Sequence, residues 1–130
     1  MPLITEEFMV PAQDAGIELY VRNKRPAELS RFTPGNTVLF VHGATYPSET
    51  LFDLPLQGVS WADYMAARGF DVYMMSVRGY GRSTRPPEMD RPAQDSPPIV
   101  RTETGARDAA SVIEFIRRRR GLEDRKSTRL

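Results

Sequence analysis

The sequence predicts an α/β fold in which two parallel strands are joined by a helix. Two continuous apolar segments, residues 37–41 and 70–77, have the composition of strands that are buried on both faces. Residues 60–68 lie between them and have helical periodicity. A strand–helix–strand order predicts a parallel pair with a crossover connection. A second helix, over residues 102–120, continues the alternation that is typical of this class.

Two short β-prone segments, residues 7–10 and 17–21, precede this unit. The segment between them contains Asp14 and Gly16, which favour a tight turn, so we predict an antiparallel hairpin. Apolar side chains alternate with polar or amphipathic ones along the second strand: Ile17, Leu19 and Val21 against Glu18, Tyr20 and Arg22. This alternation predicts one face on the core and one solvated face. Residues 25–36 contain two prolines and a glycine and are predicted to be a loop.

The helix over residues 60–68 has sequence signals at both ends. Ser60 is placed to cap the N-terminus, and Asp63 stands three residues later, as in a capping box. Gly69 follows at a position where a left-handed residue ends many helices. The predicted buried face consists of Trp61, Tyr64, Met65 and Ala67.

The last helix, over residues 102–120, has small and apolar side chains at three- and four-residue spacing. These predict its buried face: Ala106, Ala109, Ala110, Ile113 and Ile116. Four arginines at residues 117–120 suit the negative end of the helix dipole, and Gly121 is predicted to end the helix. We predict that residues 1–121 belong to one domain and that residues 122–130 are a polar tail, because residues 123–129 are too polar for a buried strand. Our hypothesis is that residues 124–130 are not native continuation.

Composition excludes several kinds of chemistry. The 130 residues are 40% apolar and 27% charged, as in ordinary globular proteins. The chain has no cysteine and one histidine, so we expect neither a thiolate nucleophile nor a metal site, and we expect no cofactor. No signal peptide and no apolar segment of membrane-spanning length are visible, so a cytoplasmic protein is expected.

Two motifs follow the apolar strands: Val-His-Gly-Ala at residues 41–44 and Val-Arg-Gly-Tyr-Gly-Arg-Ser at residues 77–83. They resemble two loops of the α/β-hydrolase family. One is the turn that supplies half of an oxyanion hole, and the other is the Arg-Gly-x-Gly-x-Ser loop. The resemblance covers residues 7–121 and implies a partial α/β-hydrolase sheet. Ser76 departs from the acidic residue that the family often has two positions before the arginine.

The resemblance assigns roles to individual residues. It implies that His42, Gly43, Ala44 and Thr45 form an oxyanion and substrate-binding turn, in which the backbone N–H of Ala44 or Thr45 points at the substrate oxygen. His42 could serve as a general base, but the family position is one that supports the turn, and we favour that role.

We expect the second motif to have mainly a structural role. Gly79 and Gly81 should shape the turn, since glycine tolerates positive φ. Arg78 and Ser83 should tie the turn down by hydrogen bonds. The carboxyl ends of parallel strands lie at the same edge of a sheet, where ligands of α/β folds bind.

The nucleophile elbow that such a hydrolase needs, Gly-x-Ser-x-Gly, does not occur in the sequence. Residues 58–62 come closest, but Ser60 is better explained as a helix cap. We therefore expect an N-terminal fragment of a hydrolase that acts on an ester-like or related bond of a small molecule, with no catalytic nucleophile, acid or base in this chain. The alternative is a non-catalytic fragment or an interaction piece.

The sequence has some features of two other classes of protein. A dinucleotide-binding domain needs Gly-x-Gly-x-x-Gly after its first strand, and neither glycine turn has this pattern. A nucleic-acid-binding protein is suggested by the arginines at residues 117–120, together with Arg125, Lys126 and Arg129. We favour a solvated helix end for these arginines, on dipole grounds, and expect no nucleic-acid partner.

Overall fold

The computed structural model describes residues 2–42, 53–54, 58–86 and 102–122. The regular elements in these ranges, in chain order, are β1 (Leu3–Pro11), β2 (Glu18–Pro26), β3 (Thr37–Val41), α1 (Trp61–Ala67), β4 (Asp71–Met75) and α2 (Thr102–Arg120). One turn of 3₁₀ helix, Pro34–Asn36, leads into β3. None of the helices in these ranges is both long and apolar enough to cross a bilayer.

The four strands form one sheet in the order β1-β2-β4-β3. The predicted antiparallel hairpin of β1 and β2 and the predicted parallel pair of β3 and β4 are both confirmed. An antiparallel contact between β2 and β4 joins the two units. The hairpin is longer than predicted, because its ladder runs from Leu3 opposite Pro26 to Pro11 opposite Glu18. The predicted β2 ended too early because residues 22–25 are polar. Their side chains are paired with residues from distant parts of the chain, which the local pattern does not reveal.

The sheet has a core on each face. Between the sheet and α2 lies a cluster of buried residues to which all four strands contribute: Val10, Ile17, Leu19, Val21, Leu39, Tyr73, Met75, Val77, Val112, Ile116 and Leu122. A smaller cluster lies between the sheet and α1: Ala62, Ala66, Val72 and Met74, with Phe40 and Met65 packed against it. Neighbouring residues of β4 point to opposite faces, so this strand is buried on both sides, as its continuous apolar sequence predicts.

The predicted solvated face of β2 is right for Glu18, which is exposed, and wrong for the residues that follow it on that face. Tyr20 is only 3% exposed, and the next two residues on that face, Arg22 and Lys24, form ion pairs with Asp53 at 2.7 Å each. Asp53 also accepts a hydrogen bond of 2.7 Å from the hydroxyl of Ser60. The polar side chains on this face are therefore satisfied within the protein, a role that alternation of residue types cannot distinguish from solvation.

The predicted cap of α1 is confirmed. The Ser60 hydroxyl accepts a hydrogen bond from the backbone N–H of Asp63 at 2.9 Å, and the Asp63 carboxylate accepts one from the backbone N–H of Ser60 at 3.4 Å. Lys24 also contacts the Asp63 carboxylate, at 2.7 Å. Burial works against the charged form of Asp63, but the hydrogen bonds from Lys24 and Ser60 outweigh it and lower the pKa of this carboxyl.

The predicted buried face of α1 is mostly wrong. The buried residues are Ala62 and Ala66, whereas Trp61 is 61% and Tyr64 is 48% exposed. Small side chains allow this short helix to lie close to the sheet, and the larger aromatic residues are left outside. The ring of Trp61 still contacts Phe40, with centroids 6.0 Å apart.

The bounds of α2 agree with the prediction, but its buried face is only partly right. Ile116 is buried, as predicted, while Ala106 and Ala110 are exposed. Val112 and Asp108 take the buried positions. An aspartate in that position breaks the apolar pattern, and its burial depends on an arginine from elsewhere in the chain.

The end of α2 turns back onto the sheet. Gly121 has a positive φ of 65°, as expected for a residue that ends a helix. The backbone N–H of Leu122 donates to the carbonyl of Arg117 at 2.9 Å, and the Leu122 side chain is buried. Leu122 therefore belongs to the core and not to the predicted polar tail. The rest of that tail, residues 123–130, lies outside the described ranges.

The end of the sheet at the start of β4, which we call the base, is held by ion pairs. The buried carboxylate of Asp71 contacts Nε of Arg120 at 2.8 Å and accepts a hydrogen bond of 2.9 Å from the Asn23 side chain. Arg119 contacts the Glu6 carboxylate at 2.5 Å and donates to the Tyr73 hydroxyl at 3.2 Å. Burial and the nearby Asp71 charge raise the pKa of Tyr73 to about 12.

The predicted solvated helix end is consequently wrong for two of the four arginines. Arg119 and Arg120 turn toward the sheet, and their guanidinium groups lie over the rings of Phe8 and Phe32, at 4.5 and 3.8 Å from the centroids. Arg118 is exposed and pairs with Glu114 one turn earlier, at 2.8 Å.

Candidate functional site

The opposite end of the sheet, which we call the rim, contains the residues that follow β3 and β4. His42 comes directly after β3. Its Nε2 accepts a hydrogen bond of 3.0 Å from the backbone N–H of Val77, which lies two residues after β4. The parallel register, with Val41 opposite Met75, brings these two positions together. The imidazole thus bridges the ends of two adjacent strands.

This hydrogen bond fixes what the His42 ring can do in this arrangement. An imidazole nitrogen that accepts a hydrogen bond carries no proton, so in the neutral ring the proton is on Nδ1. The lone pair of Nε2 is occupied by the Val77 amide and is not available to remove a proton from a substrate. The geometry therefore supports the predicted supporting role of His42 over the general-base role.

The two sequence motifs meet at the rim. The rings of His42 and Tyr80 are in contact, with centroids 4.6 Å apart and planes tilted by 50°. Tyr80 comes from the loop after β4 and also packs against the larger core. The other predicted oxyanion residues, Gly43, Ala44 and Thr45, lie outside the described ranges. Of that predicted turn, the structure describes His42 alone.

The loop after β4 is held in shape by its own backbone. Gly79 and Gly81 have φ angles of 87° and 52°, values that glycine adopts without strain. The Gly79 amide donates to the carbonyl of Thr84 at 2.9 Å, and the Tyr80 amide donates to the carbonyl of Val77 at 3.1 Å. The predicted role of the two glycines in shaping this turn is confirmed by these angles.

Ser83 ties the loop to β2. Its buried hydroxyl donates to the carbonyl of Ser76 at 2.5 Å and accepts from the amide of Tyr20 at 2.8 Å. The Thr84 amide donates to the carbonyl of Glu18 at 2.8 Å. The tie that we predicted for Ser83 is therefore confirmed, and the hydroxyl is fully used in it.

Arg78 is also tied down, but through partners that the sequence did not indicate. Its backbone N–H donates to Asp108 Oδ2 at 3.0 Å, and its Nη2 contacts Asp108 Oδ1 at 2.7 Å. The same Nη2 contacts Asp14 in the hairpin turn at 2.8 Å. The hydrogen bond with Asp108 raises the pKa of Arg78. Hydrogen bonds from Arg107 and then Arg78 lower the pKa of Asp14.

A groove of about 620 Å³ lies between α2 and the segment that follows β1. Its lining consists of Pro11, Ala12, Gln13, Ala110, Ser111, Glu114, Phe115, Arg118 and Arg119. None of the predicted site residues lines it. In the part of the chain that the structure describes, no three side chains of the types that ligate metals come together as a metal site.

No protein-family model matches the sequence, and no curated protein matches it. Several solved structures do match. A hypothetical protein of Pseudomonas aeruginosa is 16% identical, with a TM-score of 0.64 over 88% of this chain and 30% of its own. An alpha-amino acid ester hydrolase is 21% identical, with a TM-score of 0.61 over 89% of this chain and 19% of its own. An epoxide hydrolase mutant of Vigna radiata is 19% identical, with a TM-score of 0.57 over 86% of this chain and 27% of its own.

The ester hydrolase and the epoxide hydrolase have the α/β-hydrolase fold, and this chain has part of the same fold. The mixed sheet of four strands, with a helix on each face, agrees with this assignment. The chain spans 30%, 19% and 27% of the lengths of the three structures. The identities are low, so the comparison establishes the fold and leaves the activity to be inferred.

Sequence reasoning missed Asp108 and Asp14 as residues of the rim. Asp14 was read only as a turn former. Asp108 interrupts the apolar face of α2. An acidic residue on such a face, together with an arginine that follows a strand, could have indicated a buried ion pair. To predict that Arg78 pairs with Asp108, one would also have needed the angle at which α2 packs on the sheet.

Proposed function

We propose that this chain is the N-terminal part of an α/β-hydrolase that cleaves an ester-like or related bond by nucleophilic catalysis. In this proposal, residues 42–45 provide one half of the oxyanion hole. The two neighbours named for their activities are an ester hydrolase and an epoxide hydrolase. The observation that supports the proposal is the hydrogen bond of 3.0 Å from the Val77 amide to His42 Nε2, which holds His42, the first of the four residues, at the rim.

The chemical argument concerns backbone amides after β3. An amide fixed before the reaction stabilises a developing oxyanion without reorganising, and removing one such donor costs about 2.7–4 kcal/mol of transition-state stabilisation in a known case. A turn that donates in this way must be held rigidly. His42 is held on one side by the Val77 amide and on another by the Tyr80 ring.

The nucleophile is proposed to lie outside this chain. Ser60, in the closest approach to an elbow motif, and Ser83, in the glycine loop at the rim, are both buried. Ser60 caps α1, and Ser83 joins the rim loop to β2. Neither hydroxyl is presented to a substrate. If no longer polypeptide supplies the missing groups, the chain is a non-catalytic fragment.

The test uses this chain and the longest polypeptide of its reading frame. Hydrolysis of a 4-nitrophenyl ester and of an aryl epoxide is measured for both. We expect only background turnover for the 130-residue chain. We expect clear turnover of one substrate for the longer polypeptide. The proposal is wrong if the longer sequence contains no apolar strand followed by Gly-x-Ser-x-Gly, or by an elbow with aspartate as nucleophile.

A pair of variants tests the oxyanion turn in the active polypeptide. Ala44→Pro removes the backbone N–H at this position, and Ala44→Gly keeps it. We expect Ala44→Pro to lower kcat by about 10²–10³-fold and Ala44→Gly to keep most of the activity. Equal activity of the two variants would remove Ala44 from the proposed oxyanion hole and leave Thr45 as the donor to test by the same substitution.

A further inference from the structure

Three segments of the chain converge on one arginine at the rim. Arg78 follows β4, Asp14 lies in the hairpin turn, and Asp108 lies in the first half of α2. The guanidinium of Arg78 contacts both carboxylates, at 2.8 Å for Asp14 and 2.7 Å for Asp108. Asp108 is completely buried, and its carboxylate binds Arg78 through the backbone amide as well as through the side chain.

The backbone amide that Asp108 binds is next to the amide that holds His42. The Val77 N–H donates to His42 Nε2 at 3.0 Å, and the Arg78 N–H donates to Asp108 Oδ2 at 3.0 Å. One amide is thus engaged by the end of β3, and the next is engaged by α2. The helix also approaches this segment closely, since a Cβ built on Gly105 would lie 3.9 Å from Cγ1 of Val77.

We propose that Asp108 is a positioning residue of the candidate site, which acts through the backbone of Val77 and Arg78 to fix the imidazole of His42. Its significance for catalysis rests on the function proposed above, but the coupling itself does not. Without the carboxylate, the Arg78 amide and guanidinium lose their main partner. If the peptide between Val77 and Arg78 rotates so that the Arg78 amide finds a new acceptor, the Val77 carbonyl in the same peptide is displaced. That carbonyl accepts a hydrogen bond from the backbone N–H of Tyr80.

The coupling predicts a local effect that loss of stability alone does not produce. Asp108→Asn keeps the size of the side chain but removes its charge and one acceptor oxygen. The matched control is Asp71→Asn at the base, which changes another fully buried aspartate that binds an arginine. Both variants weaken a buried ion pair, but only the first touches the segment that holds His42.

The measurement is NMR of the 130-residue chain with labelled histidine and backbone nitrogen. For Asp108→Asn we expect the His42 Nε2 signal to move toward that of a free imidazole. We also expect hydrogen exchange of the Val77 amide to speed up at least tenfold relative to amides in the middle of β4. For Asp71→Asn we expect the His42 signal and this ratio to stay as in the parent chain.

The proposal is overturned if Asp108→Asn leaves the His42 and Val77 signals unchanged, or if Asp71→Asn changes them equally. If Asp108→Asn does not fold, Asp14→Asn decides, because it removes only the half-exposed partner of Arg78. We expect a smaller shift of the same two signals, and no shift would overturn the proposal. These signals do not depend on turnover, so an inactive longer polypeptide would refute the proposed function without affecting this result.

Discussion

The rim and the base of the sheet each contain a fully buried aspartate that binds an arginine, but the two pairs stabilise different kinds of structure. At the rim, Asp108 binds the backbone and the side chain of Arg78, so the pair fixes the path of a loop. At the base, the partners of Asp71 among the described residues are side chains, those of Arg120 and Asn23. That pair attaches the end of a helix to the sheet.

The comparison shows that an aspartate–arginine pair can fix the conformation of a loop at the rim and can attach a helix to the sheet at the base. The rim loop has two glycines with positive φ and several hydrogen bonds to backbone atoms, so its conformation is specified closely. The base relies on ion pairs and on arginines that lie over Phe8 and Phe32. Substitutions at the base should therefore change stability and leave the His42 geometry intact.

The largest effect is expected for Asp71→Ala. Removing one partner of a buried ion pair leaves an uncompensated charge, which typically costs about 3–5 kcal/mol of unfolding free energy. Chemical denaturation followed by circular dichroism measures this change. The side chains of Arg120 and Asn23 both lose an acceptor. A loss below about 1 kcal/mol would show that water or another acceptor replaces the carboxylate, and that the base is not held in the way described.

A smaller effect is expected for Gly79→Ala at the rim. A non-glycine residue held at a φ of 87° is strained by about 1–3 kcal/mol. The matched control is Gly105→Ala in α2, where a Cβ meets only an ordinary contact. Alanine favours a helix over glycine by up to about 1 kcal/mol, so this control should be neutral or stabilising. Thermal unfolding of both variants gives the comparison, and equal effects would contradict the assigned roles.

The smallest effect is expected for Glu6→Gln, and it depends on pH. Hydrogen bonds from Arg25 and then Arg119 lower the pKa of Glu6 below its ordinary value of 4.5. A lowered pKa contributes stability above pH 4.5, and this contribution is lost as the pH falls through the folded-state pKa. The side chain is partly exposed, so we expect a loss of only about 0.2–1 kcal/mol at pH 7.

The difference between the parent chain and Glu6→Gln should shrink as the pH is lowered from 7 through the folded-state pKa of Glu6, since below that pKa the carboxyl is protonated in the folded and the unfolded state alike. Urea denaturation at several pH values measures it. A difference that stays constant or grows toward low pH would show that the ionised form of Glu6 is not the stabilising one.

The sequence predicted the parts of the fold that depend on local patterns. The hairpin, the parallel pair, both helices and the capping box of Ser60 and Asp63 follow from periodicity, turn residues and caps, and all are confirmed. Several of the predictions that failed concern side chains whose partners are distant in sequence. Arg119 and Arg120 were assigned to solvent because their carboxylates, on Glu6 and Asp71, come from strands.

The candidate site divides in the same way. The strand ends and glycine turns identified the rim and placed His42 in it, because the motifs are local. The aspartate that secures Arg78 was missed, because composition favours a solvated position for an acid on a helix. The buried face of α2 was predicted partly wrongly for a related reason. Alanine is tolerated on the buried and on the exposed face of a helix, so the spacing of alanines does not identify the buried face when an acidic residue occupies a buried position there.

The strand order has a consequence for how the chain folds as it is synthesised. Because β4 lies between β2 and β3 in the sheet, the hairpin and β3 have no common neighbour until the ribosome has completed residue 75. The hairpin can close early, but β3 emerges with an apolar sequence and no adjacent strand to pair with. Nascent chains arrested between β3 and β4 should therefore bind chaperones that recognise extended apolar segments, and chains released after β4 should bind them less.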